Sequence, residues 1–245
     1  MEFTEDLLVP RARIVVLELT TRCNLRCVYC AVSKPDYVGQ DHELDPRALV
    51  RSIAAMRPHE VQISGHGEST LVKGWVELAR DLLDQGCPVT MISNLAKRLS
   101  DEEVDVMSQF AGLTVSCDSA NPETFATLRR GGKLEKLEGN LRRILEAADA
   151  SGRHRPYVGI NCVLTELNLP DLEKLVDWAK ANGAGGVSLT NLQTYDELAD
   201  IVPNHPSTVA GAHAAVERAR RRARELGLEF NAMGGLTDAL REASA

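Results

Sequence analysis

Six short runs of aliphatic and β-branched residues, separated by longer amphipathic stretches, constrain this chain more than any other feature. The runs are Arg13–Leu19, Glu60–Gly65, Val89–Asn94, Leu113–Asp118, Tyr157–Leu164 and Gly186–Leu192. The stretches between them carry helix signals. Asp45 and Pro46 stand as N-cap and first helical residue of "DPRALVRSIAAM", and Gly183 closes "LPDLEKLVDWAKANG". Parallel neighbouring strands need a crossover, and a helix supplies it. Six such units predict an α/β fold: an open partial (β/α)6 TIM-like barrel of parallel strands with outer helices, short of the eight strands that close a barrel. The barrel is expected over residues 1–230, with 231–245 as a short tail. In barrels of this kind chemistry gathers at the carboxyl ends of the strands, so the residues after each run are the ones to read for function.

The loop after the first run, "TTRCNLRCVYC", places Cys23, Cys27 and Cys30 within eight residues. No apolar run approaches the roughly 20 residues that span a bilayer. The N-terminal "MEFTEDLLVPRAR" has no hydrophobic secretory core. The chain is therefore expected in the cytoplasm, where cysteines stay reduced and a tight cluster signals metal binding or catalysis rather than disulfides. No membrane partner is expected, and the net charge of −7 argues against nucleic acid as the main partner. Three thiolates fall one short of zinc's closed tetrahedron and of the usual ligand set of a [4Fe–4S] cluster. Either a histidine completes a zinc site, or one metal position is left open to a substrate or cosubstrate.

The triplet resembles the signature of the radical S-adenosylmethionine (radical SAM) superfamily. The resemblance implies that Cys23, Cys27 and Cys30 hold a [4Fe–4S] cluster and that S-adenosylmethionine chelates its fourth iron. It implies reductive cleavage of the cosubstrate to a 5′-deoxyadenosyl radical that abstracts hydrogen, with the electron drawn from a donor such as flavodoxin or ferredoxin. Tyr29, ahead of the third cysteine, would lie beside the adenine.

Further matches follow in order. Gly67 and Glu68 in "SGHGES" resemble the glycine-rich turn that receives the cosubstrate amino group; glycines admit close backbone approach and a carboxylate pairs with an ammonium. Ser93 and Asn94 resemble the family's third-strand ending. Ser116 and Asp118, placed on one face by strand alternation, resemble the polar pair facing the ribose or methionine end. Arg129 or Arg130 would hold the cosubstrate carboxylate or, as a plain alternative, lie on a charged helix surface. Asn161, sharing a face with Gly159 and Val163, matches a cosubstrate-binding asparagine. The pattern is closest to the subgroup of molybdenum-cofactor cyclase, peptide maturases and antibiotic-biosynthesis enzymes, and spans roughly residues 10–200.

Cys87, Cys117 and Cys162 remain, and read as buried apolar cysteines rather than ligands. No cysteine follows residue 200. The chain thus departs from relatives that carry auxiliary clusters in a C-terminal extension. A single cluster favours redox-neutral chemistry on a small-molecule biosynthetic substrate: rearrangement, elimination, decarboxylation or epimerisation. A peptide-modifying maturase, a glycyl-radical-enzyme activase and a non-enzymatic iron–sulfur sensor are the competing readings. Substrate-facing candidates past the strand ends are His66, Glu166, Gln193, Tyr195, Asp196 and Glu197, with His66 as proton acceptor and Tyr195 as a second catalytic candidate. The loop "TNLQTYDELADIVPNHP" would cover the barrel mouth. The arginines of "ERARRRARE" read as the solvated face of a helix whose other face carries Ala212, Val216, Ala219, Ala223 and Leu226.

Overall fold

The computed structural model describes residues 13–43, 45–206 and 209–232. All six predicted strands form, as β1 (Ile14–Leu17), β3 (Glu60–Ile63), β4 (Val89–Ser93), β5 (Gly112–Ser116), β7 (Tyr157–Val163) and β8 (Gly186–Thr190). A seventh, β9 (Glu229–Ala232), follows them. These seven make one sheet in the order β1-β3-β4-β5-β7-β8-β9, and every pairing is parallel. The predicted sixfold count is thus one strand short. The missed strand is only four residues long, with an alternation too weak to stand out from a turn-and-tail segment. It takes in Asn231 and Ala232 from the expected tail; the rest of that tail lies outside the described residues. β1 and β9 are the sheet's two edges, so the barrel is open.

Helices α1 (Pro46–Met56), α2 (Trp75–Asp84), α3 (Asp101–Met107), α4 (Pro122–Leu128), α5 (Leu134–Ala150), α6 (Leu172–Ala181) and α7 (Ala212–Glu225) connect the strands. Asp45 caps α1 as expected, its carboxylate accepting the N–H groups of Arg47 and Ala48 at 3.0 and 3.2 Å. Gly183 follows α6 with φ +78°, a conformation that costs glycine little. On α7, Ala212, Ala215, Val216, Ala219 and Ala223 are buried. Its arginines lie on the polar side, where Arg218 and Arg222 reach Glu173 and Asp177 of α6 at 3.0 and 2.7 Å.

The period-2 alternation of the strands sorts the sheet into two unlike faces. Val61, Ile63, Val89, Met91, Val115, Ile160 and Leu189 point at the helix layer and are at most 1% exposed. Each such side chain contributes about 1.5–3 kcal/mol by leaving water. The inner face carries Gln62, Thr90, Thr114, Ser116, Asn161, Ser188 and Thr190, all only partly buried. A second, two-stranded ladder lies apart: β2 (Arg26–Cys27) pairs antiparallel with β6 (Arg129–Arg130) and sets Cys27 opposite Arg129.

Candidate functional site

The cysteine loop leaves β1 and is clamped from two sides. From one side residues 37–42 return to it. Thr20 Oγ1 donates to Asp41 Oδ1 at 2.6 Å, Arg22 forms an ion pair with Asp41, and the Tyr37 hydroxyl donates to Thr21 O at 2.9 Å. From the other side comes the turn after β3. A Cβ at Gly67 would stand closer than 3.0 Å to the carbonyl oxygens of Thr20 and Arg22, and the Glu68 N–H donates to Arg22 O at 2.8 Å. The close approach that requires glycine here is therefore made by the cysteine loop's own backbone.

Glu68 is 3% exposed and its carboxylate is fully engaged by the chain. It accepts the Thr70 and Ser93 hydroxyls at 2.8 and 2.9 Å and the Asn94 N–H at 2.8 Å. Asn94 in turn donates through Nδ2 to Asn24 Oδ1 at 2.9 Å and to Cys23 Sγ at 3.6 Å. The Leu25 N–H adds a second donor to that sulfur at 3.5 Å. Burial nonetheless holds the Cys23 thiol above its ordinary pKa, and the Leu25 N–H works against that shift.

A second buried knot lies under Cys27. Asp118 is 0% exposed. It takes the Tyr29 hydroxyl, the Arg129 guanidinium and, at 2.9 Å, the Val163 N–H. Arg129 Nε also lies 2.9 Å from Asp118 Oδ2, within ion-pair distance but not aligned for a hydrogen bond. Burial opposes the Arg129 charge, but Asp118, Tyr29 and Cys27 together hold its pKa above the ordinary value. Burial pushes the Cys27 thiol up to about 12 against the nearby Arg129 charge, and raises Tyr29 as well. Ser116 and Asp118, expected as a polar pair on one face, differ in how free they are. β5 ends at Ser116, which stays partly exposed, and the chain turns Asp118 into the interior. Asn161 remains on the inner face, in register with Ser116. Asn168, buried, donates to Asp118 O and Val163 O, each at 2.9 Å, and braces this knot.

Beside the second knot lies a cavity of ≈350 Å³ bordered by Tyr29, Cys30, His66, Gln193 and Tyr195. Three of the six substrate-facing candidates therefore meet. Glu166 does not join them: it accepts the N–H and the Nδ2 of Asn204 at 2.9 and 2.8 Å. Glu197 pairs with Lys34 at 3.0 Å, and Asp196 is exposed at the start of a short helical turn. Lys34 also lies 4.5 Å from the Tyr195 ring centroid, so the loop after β8 reaches over the mouth to the cysteine loop.

All six cysteines are free thiols. Cys117 and Cys162 are 0% exposed and Cys87 is 7% exposed, as expected for packing residues. Among the described residues, no three His, Cys, Asp or Glu side chains form a group that holds a single metal ion. The loop thiols do fit a polynuclear cluster, in which each thiolate binds a different iron. Three reduced sulfurs share one loop, N–H donors aim at Cys23, a buried guanidinium lies beside Cys27, and Cys30 opens on the cavity.

A family model, the Radical SAM superfamily, matches residues 17–179. The chain belongs to that superfamily. It is 27% identical over 207 residues to the GTP 3′,8-cyclase of Brucella abortus, covering 74% of this chain and 54% of that protein. It is 23% identical over 201 residues to the tungsten-containing aldehyde ferredoxin oxidoreductase cofactor-modifying protein of Pyrococcus furiosus, covering 78% of this chain and 55% of that one. The fold matches SuiB of Streptococcus suis, solved with S-adenosylmethionine, with a TM-score of 0.74 at 17% identity over 96% of this chain and 53% of SuiB. The chain thus spans about half the length of the relatives it matches. No helix among the described residues is long and apolar enough to cross a membrane.

Sequence reasoning missed three contributors: Glu18, Asn24 and Asp41. Glu18 and Asp41 lie outside the motifs, and Asn24 lies inside the cysteine stretch but is none of its three thiols. Each acts through a partner 19 to 70 residues away, so no local spacing marks it.

Proposed function

We propose that Cys23, Cys27 and Cys30 ligate one [4Fe–4S] cluster and that the chain acts on a small-molecule biosynthetic substrate in a redox-neutral reaction. The observation that carries this reading is the shared cavity, which sets Cys30 and Tyr29 against His66 and Tyr195. When bound, the cluster supplies the electron, received from a flavodoxin- or ferredoxin-type donor, that cleaves S-adenosylmethionine and starts hydrogen abstraction. The chain's residues then have distinct tasks. Gly67 and Glu68 set the cysteine loop against β3, with Ser93 and Asn94 closing the carboxylate's hydrogen bonds. Tyr29, held by Asp118 and Arg129, walls the cavity beside Cys30. Ser116 and Asn161 offer hydroxyl and amide groups on the inner face for the cosubstrate. His66 takes a substrate proton and Tyr195 orients the substrate from the covering loop. The remaining cysteines are buried and separate from the triplet, which supports a single cluster.

The test is anaerobic reconstitution with iron and sulfide, followed by an assay of 5′-deoxyadenosine after addition of dithionite and S-adenosylmethionine. About four irons per chain with steady 5′-deoxyadenosine formation is the expected result. Iron uptake without cleavage would leave a sensor or structural role. About eight irons would place a second cluster and bring back oxidative chemistry.

A further inference from the structure

At the mouth of the barrel, one carboxylate joins two imidazoles. Glu18 lies just past β1. Its Oε1 accepts the His66 backbone N–H at 2.6 Å and meets His66 Nδ1 at 3.1 Å; its Oε2 meets His42 Nε2 at 3.3 Å. The space for this carboxylate is cut into the turn after β3. A Cβ at Gly65 would stand closer than 3.0 Å to Cγ, Cδ and Oε1 of Glu18. Gly65 therefore does what Gly67 does two residues later: it yields its side-chain volume to the chain leaving β1. Three segments far apart in the chain converge on one carboxylate, and two of them bring a ring nitrogen.

An ionised carboxylate only accepts hydrogen bonds. The His66 backbone N–H holds Glu18 below the ordinary carboxylate range, against the effect of burial. Both imidazole nitrogens that face it must then carry hydrogen. For neutral His66 this fixes Nδ1–H and puts the lone pair on Nε2. The ring lines the cavity shared with Cys30 and Tyr29 as well as a second, adjoining one beside Val16 and Ser64. The His66 side chain is 68% exposed with Nδ1 turned to Glu18, which is 32% exposed and itself lines the second cavity.

We propose that Glu18 is the positioning residue of His66, fixing its Nδ1–H tautomer so that Nε2 is the proton-accepting nitrogen at the cavity. The use of that nitrogen rests on the reading of His66 given above. When a substrate group loses its proton there, an N–H bond forms at Nε2, the bonding pair stays with the substrate, and Glu18 lies against the imidazolium. Holding one tautomer in place is the usual means by which a carboxylate behind a histidine makes it an effective base. His42, on the second carboxylate oxygen, holds Glu18 from the far side.

The tautomer is read directly by long-range ¹H–¹⁵N correlation in chain labelled at histidine, at about pH 8.5, above the ordinary imidazole range. Spectra are recorded on the full chain as isolated and after reconstitution, with His66→Gln assigning the signals. The expected result is Nδ1–H for His66 in the wild type. It reverts to the Nε2–H form preferred by free imidazole in Glu18→Ala and in Gly65→Ala, which expels the carboxylate without removing it. Glu18→Gln, which keeps an acceptor oxygen, should restore part of the Nδ1–H population. A wild-type His66 carrying its hydrogen on Nε2, or an unchanged tautomer in both disrupting variants, overturns the proposal. This outcome is independent of 5′-deoxyadenosine formation, so failure of the tautomer assignment and failure of the radical reading are told apart.

Discussion

The two rims of the barrel mouth are built on opposite terms. From β1 to β5, the two buried carboxylates are spoken for. Glu68 takes donors from Thr70, Ser93 and Asn94, and Asp118 takes them from Tyr29, Arg129 and Val163, all in buried surroundings. From β7 to β9, Asn161, Ser188 and Asn231 stand in register across three strands with their side chains on the inner face and partly or fully exposed. The loop above them is held to the cysteine side by Lys34 against Glu197 and Tyr195, a surface contact. A rim that must hold a fixed group in one geometry is wired internally. A rim that must meet a ligand keeps its donors and acceptors free.

This contrast can be broken at the wired rim first. Cys27→Ala should reduce both iron content after reconstitution and 5′-deoxyadenosine formation to background, read by iron assay and chromatography. Next in size, Asp118→Ala would leave Arg129 buried without its counter-charge, a loss of about 3–5 kcal/mol that chemical denaturation would register. An unchanged midpoint would show that the knot does not hold the loop. Gly67→Ala forces a methyl group into the Thr20 and Arg22 carbonyls and should cost about 1–3 kcal/mol, with faster iron loss on dilution.

The open rim should answer differently. Asn161→Ala is expected to leave the melting temperature in place and weaken S-adenosylmethionine binding roughly 2- to 10-fold, the worth of one hydrogen bond, by equilibrium dialysis. A fall in stability with unchanged binding would move Asn161 to the wired side. Smallest of all, Lys34→Met removes an exposed ion pair worth about 0.2–1 kcal/mol. Its expected trace is faster proteolytic nicking of the loop after β8, with global stability unaltered.

Much of this architecture was legible beforehand. The six main strands and the caps at Asp45 and Gly183 rest on local signals of period and turn chemistry, and all of them form. So did the triplet, whose spacing of three and two residues is local by nature. β9 escaped because four residues of weak alternation carry too little signal, and it exists because β8 presents an edge for it to pair with. Asp118 looked free for the cosubstrate and is spent on Tyr29, Arg129 and the Val163 N–H. Glu166 and Glu197 looked like candidates for the substrate side and are spent on Asn204 and Lys34.

What the linear order of residues determined, then, is the parallel α/β layering, the inward and outward faces of each strand, and the presence of three thiols on the first loop. Folding alone decided which polar groups remain free. Tyr29 meets Asp118 across 89 residues, Glu68 meets Ser93 across 25, and Glu18 meets His66 across 48. Whether a carboxylate is a ligand, a brace or a counter-ion depends on which donors reach it through space. No periodicity along the chain encodes a partner so far away.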